Sequence, residues 1–121
     1  MNKYEKLFDD ILNKTKLGVL EWRQLRKDAN SDVIFNVNVV WRQYSTTIER
    51  NTHSFTILLV EKKYDDPEFD LAYEKYRSEL LVLDEGELVT TLDDSTVSAT
   101  DIAKLISVVE TKSDKAKRLF S

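Results

Sequence analysis

Three groups of side chains in the 121-residue sequence are of types that could do chemistry. The first is His53, the single histidine. An imidazole can move protons near neutral pH or ligate a metal. Zinc sites, however, are built from sets of Cys and His, and the sequence has no Cys. A Ser-His-Asp arrangement would call for the Gly-x-Ser-x-Gly elbow, and the two glycines, Gly18 and Gly86, stand far apart. The same separation excludes a glycine-rich phosphate loop. His53 therefore reads as a solvated residue of a hairpin turn, Glu49-Arg50-Asn51-Thr52-His53.

The second group is acidic: Asp65, Asp66, Glu68 and Asp70. Carboxylates so spaced could hold a hard cation, but the Gly and terminal Glu of a calcium loop are missing. Paired carboxylates also serve glycosidases, yet no aromatic-lined cleft can be inferred around these. What remains is a solvated, negatively charged segment able to face a basic partner. Asp84-Glu85 and Asp93-Asp94 read as turn residues.

The third group is aromatic and basic. Trp22, Trp41 and Tyr44 could stack nucleobases, but Trp41 alternates with Phe35, Val37 and Val39 and reads as core. Lys112, Lys115, Lys117 and Arg118 read as cations favoured near a helix C-terminus. The charge layout points the same way. Residues 1–60 carry nine Lys and Arg against seven Asp and Glu. Residues 61–101 carry four against thirteen, and residues 102–121 five against two. An acidic middle repels phosphate backbones and favours basic proteins.

These groups need a scaffold. A single domain over residues 1–121 suits the length, and 33% charged residues beside 41% apolar ones fit a solvated globule. No signal-peptide h-region follows Met1-Asn2-Lys3, and the longest apolar run, Ile57-Leu58-Leu59-Val60, is far short of a membrane span. With no Cys, a reducing, cytoplasmic setting is expected.

Tyr4, Leu7, Phe8, Ile11, Leu12 and Thr15 form one helical stripe. Asn2 and Glu5 are placed for a capping box, and Gly18 for the residue just past the helix end. Strands are expected at Val19–Trp22, Ile34–Tyr44, Phe55–Glu61, Leu80–Leu83 and Leu88–Leu92, with a tight turn at Asp84-Glu85-Gly86. The segment from Asp65 to Tyr76 fits a short helix or an extended arm. Ser98 can cap a second helix whose face is Ile102, Leu105, Ile106 and Val109 and which could run on to Phe120.

Consecutive strands between helices predict an α+β fold: a mainly antiparallel sheet of four to five strands with N- and C-terminal helices packed on it. The expected core is Leu7, Phe8, Ile11, Val37, Val39, Ile57, Leu59, Val82, Ile102, Leu105 and Ile106. Phe55–Val60 and Leu80–Leu83 are apolar on both faces. Both faces then need cover, from the chain itself or from a second copy in a homodimer.

The stretch Leu7–Trp22, a helix ending Thr15-Lys16-Leu17-Gly18 before a strand bearing Trp22, resembles the opening of a group of small uncharacterised bacterial proteins. Asp84-Glu85-Gly86 is similar to their later hairpin, one residue shorter. The resemblance implies helix–sheet–helix order and no particular activity. The functional expectation is a non-catalytic protein-binding module with Asp65, Asp66, Glu68 and Asp70 at its partner surface. It needs no cofactor or metal and binds a basic protein rather than nucleic acid or membrane. Such a module could be an accessory or inhibitory protein of a bacterial or phage defence system. The alternative is an immunity protein or antitoxin whose acidic patch covers a nuclease toxin.

Overall fold

The computed structural model describes residues 1–65 and 74–121. Five strands make one antiparallel sheet: β1 (Arg23–Leu25), β2 (Val40–Arg50), β3 (His53–Asp65), β4 (Glu74–Asp84) and β5 (Glu87–Leu92). Each strand lies beside its neighbour in sequence. Helix α1 (Lys3–Lys16) precedes the sheet, and α2 (Ala99–Lys112) and α3 (Asp114–Phe120) follow it. This is the α+β meander that the sequence order predicts. Among the described residues no helix is long and apolar enough to cross a membrane.

Local chemistry sets the ends of the elements. The Asn2 side chain accepts the Glu5 N–H at 2.9 Å and starts α1. At its far end Gly18 takes φ +76°, and the N–H groups of Leu17, Gly18 and Val19 return to Asn13, Thr15 and Lys14. Ser98 caps α2 through the Asp101 N–H. The second helix does not run on unbroken to Phe120 but stops at Lys112. Ser113 is extended at ψ 161° and its hydroxyl caps a separate α3 by accepting the Ala116 N–H. Both tight hairpins use left-handed residues at their centres, Asn51 and Thr52 (φ 53° and 63°) and Glu85 and Gly86 (φ 51° and 85°), the geometry that matches strand twist.

Both helical faces bury against one side of the sheet. Phe8, Ile11 and Leu12 of α1 and Ile102, Leu105 and Val109 of α2 meet a row in which Tyr44, Leu59, Leu80 and Leu92 stand side by side across four strands. Burial of apolar surface on this scale is the main stabilising term of the fold. Of the expected core, Phe8, Ile11, Ile57, Leu59, Val82, Ile102 and Leu105 are buried, while Leu7 and Ile106 are half-buried.

The other side of the sheet is covered from within the chain. Leu58, Val60, Leu81 and Leu83 are buried with Ile34 and Val40, and Leu25, Val33 and Val37 pack on them. The connection between β1 and β2 is tied down by Gln43, wholly buried. Its amide donates to the Ala29 carbonyl at 2.7 Å and to that of Lys27 at 3.3 Å, and accepts from the Asn30 side chain at 3.1 Å. A buried amide with its hydrogen bonds met stabilises one loop path over others.

Two strand expectations are corrected. The first strand is Arg23–Leu25, not Val19–Trp22. The Trp22 carbonyl accepts the Asp114 N–H at 3.1 Å, outside any ladder. The second runs from Val40 to Arg50 rather than from Ile34 to Tyr44. Asn30 and Asn36 take left-handed backbone (φ 59° and 56°), which Asn tolerates better than other side chains, and residues 30–39 fold into turns and a short 3-10 segment. The expected inward face therefore does not exist. Phe35 is 86% exposed, Trp41 is exposed, and Val37 and Val39 are only half-buried. Tyr44 and Ile48 take the inward positions instead.

Candidate interaction surface

Asp65 ends β3 opposite Glu74. Asp66, Glu68 and Asp70, the other residues expected to bind a partner, lie outside the described residues, as does most of the segment from Asp65 to Tyr76. The described acids gather elsewhere. Residues 84–98 contain Asp84, Glu85, Glu87, Asp93 and Asp94 and no Lys or Arg. The first three sit at the β4–β5 turn and the last two just beyond β5, so they bracket that strand. Two are engaged locally. Asp84 meets His53 Nε2 at 2.8 Å, and Asp93 accepts the Ser95 N–H at 2.9 Å. Glu85, Glu87 and Asp94 face solvent.

The strand between them is a sheet edge, and the two edges are treated differently. At β1 the outward Gln24 N–H is met by the Asp114 carboxylate at 2.9 Å, and the start of α3 lies against the strand. That hydrogen bond holds the Asp114 carboxyl below its ordinary range. At β5 no described element lies beyond the strand. Leu88 and Val89 are 50% and 57% exposed. Val89 is the extra residue of a bulge, because Val82 pairs with Thr90 while Leu83 pairs with Leu88.

An apolar groove of about 440 Å³ adjoins this edge. Tyr4 and Leu7 of α1 overhang Ile48, Phe55 and Val82, and Val89 and Thr90 of β5 complete one wall. Lys3 and Arg50 line it as well. Arg50 is held there by Asp10 at 3.1 Å, and Asp10 also meets Lys14 at 3.3 Å.

A second polar centre lies under the helices. The bulge between Val40 and Arg42 puts Val40 on the loop-covered face and turns Arg42 to the helix face, opposite Glu61. The Arg42 guanidinium donates to both Glu61 oxygens, at 2.7 and 3.1 Å, and to Glu110 of α2, and it stacks on Trp41 at 3.9 Å from the ring centre. Burial raises the Glu61 carboxyl above its usual range, and Arg42 offsets only part of that. Burial likewise raises the Tyr44 phenol. Beside this cluster a cleft of about 400 Å³ opens between Tyr44 and α3. On the opposite face the buried Lys62 pairs with the partly buried Glu79 at 2.8 Å. These groups hold helix to sheet and strand to strand, and each buried charge has its partner.

His53 is exposed. Its ring hydrogen-bonds Asp84 and tilts over Phe55 at 5.1 Å, in the expected turn region but tying two hairpins together. Sequence reasoning treats Glu85 and Asp94 only as turn residues and gives Glu87 no role. The signal that could have found them was the absence of any base across residues 84–98 around a β-branched strand. Comparison of the chain with protein-family models, with curated proteins and with solved structures gives no match.

Proposed function

We propose that the protein is a protein-binding module that engages a basic partner. The observation that carries this reading is the contrast between the sheet edges: β1 is capped by Asp114, whereas β5 has no described element beyond it and is partly apolar and bracketed by acids. An apolar strip between charges of one sign favours a partner carrying the opposite sign, through faster encounter and discrimination against acidic proteins. Asp65, Asp66, Glu68 and Asp70 belong to the same acidic stretch and extend this reading. A nuclease toxin with a basic active site has the required chemistry.

The test is affinity capture from the native host with tagged protein. Wild type is set beside two reversals to Lys: Glu85, Glu87 and Asp94 together, and Asp65, Asp66, Glu68 and Asp70 together. The expected result is a basic protein retained by wild type, released as salt rises, and lost with at least one reversal. Retention indifferent to both reversals, or capture of acidic proteins only, would overturn the reading.

A further inference from the structure

Resting on the basic-partner reading, we propose that the β5 edge is completed by strand addition. An extended segment of the partner pairs along Glu87–Leu92, with an apolar, β-branched centre and a Lys or Arg at each end. An edge strand points N–H and C=O groups outward at every second residue, and an incoming strand can meet them. β5 spans six residues, Glu-Leu-Val-Thr-Thr-Leu, without Pro or Lys. Glu85 and Glu87 stand at one end and Asp94 at the other, so basic flanks are matched whether the segment runs parallel or antiparallel. The centre of the segment would lie beside Leu88 and Val89. Val89 also walls the groove under Tyr4 and Leu7, so a side chain of the added strand next to the bulge has an apolar space to enter.

A second copy of this chain is the other strand that could add, and charge argues against it. Antiparallel self-pairing about the midpoint of β5 sets Glu85 of each copy against Asp94 of the other, twice by symmetry. Like charges directly opposite are destabilising. The apolar second face of the sheet, which could otherwise call for a second copy, is already covered by Val33, Ile34 and Val37.

The test uses the full chain and a synthetic peptide, Arg-Lys-Val-Thr-Val-Thr-Ile-Lys-Arg, with blocked ends. Two further versions are N-methylated, one at the odd amides and one at the even amides. Strand addition lets only one set of amides face β5. One methylated peptide should therefore bind at least tenfold more weakly than the parent in calorimetry, and the other close to it. Hydrogen exchange at Glu87–Leu92 should slow when the parent peptide is bound. Leu88→Lys, at a half-exposed position, should weaken binding tenfold or more with an unchanged circular dichroism spectrum. If all three peptides bind equally, with affinity falling as salt rises, strand addition is wrong while the basic-partner reading stands. If none binds at low salt, strand addition is again overturned, and the capture assay alone decides on the basic partner. If the free chain sediments as a dimer with Glu87–Leu92 already protected, the occupant is a second copy and the proposal fails.

Discussion

The indole N–H of Trp22 donates to the Thr15 hydroxyl at 3.0 Å, and that hydroxyl donates in turn to the Ile11 carbonyl at 2.7 Å. Both side chains are buried, so the relay ties the last turn of α1 to the chain entering the sheet. Thr15→Val keeps the shape and removes the acceptor. A buried indole N–H left unpaired should cost about 1–3 kcal/mol. Urea unfolding should register that loss, and Trp22→Phe in the Thr15→Val background should add less than it does alone. Equal effects in both backgrounds would mean that the two residues are not coupled.

Arg42→Met tests the buried ion cluster, and its cost should depend on pH. Removing one partner of a buried pair costs about 3–5 kcal/mol when the other stays charged. Glu61 is raised by burial, so its contribution to stability is present below its unfolded pKa and is lost as pH rises through the folded value. Without Arg42 the folded value rises further. The destabilisation should then be largest near neutral pH and shrink towards acid, where Glu61 takes up a proton. Unfolding curves at neutral and acid pH give the comparison, and a pH-independent loss would mean that Arg42 acts through packing alone.

His53 should titrate above the ordinary imidazole range, because Asp84 hydrogen-bonds its charged form and adds a Coulombic attraction. The sign for a raised His is that the pair favours the fold below the unfolded pKa, and this is lost as pH rises through the folded one. Asp84→Asn should bring the titration down. Nuclear magnetic resonance of the ring protons is a sufficient measurement, and an unshifted midpoint in the variant would show that the contact is not formed in solution.

The β2–β3 turn carries a local cost that can be relieved. Thr52 is β-branched and sits at φ 63°, where such residues are strained. Thr52→Gly gives the Asn-Gly pair that this turn favours and should raise stability by roughly 0.5–1 kcal/mol. No gain, or a loss, in the denaturation midpoint would assign the position another role. Gly86→Ala at φ 85° should act in the opposite direction.

Much of the scaffold was legible because local and global signals agree. The α1 stripe, its Asn2 cap and Gly18 end, the Glu85-Gly86 turn and the Ser98 cap are each set by neighbours within a few residues. The region from Ile34 to Tyr44 misled because its alternation is genuine but unused. Asn36 turns left-handed and the Trp41 bulge flips the register, so Val40 and Arg42 face opposite sides. Neither event has a signature in hydrophobic period. The ion cluster was hidden for a related reason: Arg42, Glu61 and Glu110 come together only when strand register and helix placement are both known. The place of β5 at the end of the sheet was equally invisible, since strand order follows from pairing and not from period.

The capped edge at β1 has a consequence for how the chain assembles. Gln24 and Asp114 are 90 positions apart. During synthesis from the N-terminus, β1 can pair with β2 long before its outer amide can find Asp114. A nascent or C-terminally clipped chain therefore leaves uncovered the β1 edge that Asp114 meets in the folded chain. Chaperone dependence should be greatest in that interval, and proteolysis that removes Ser113–Ser121 should leave a chain prone to polymerise through its β1 edge.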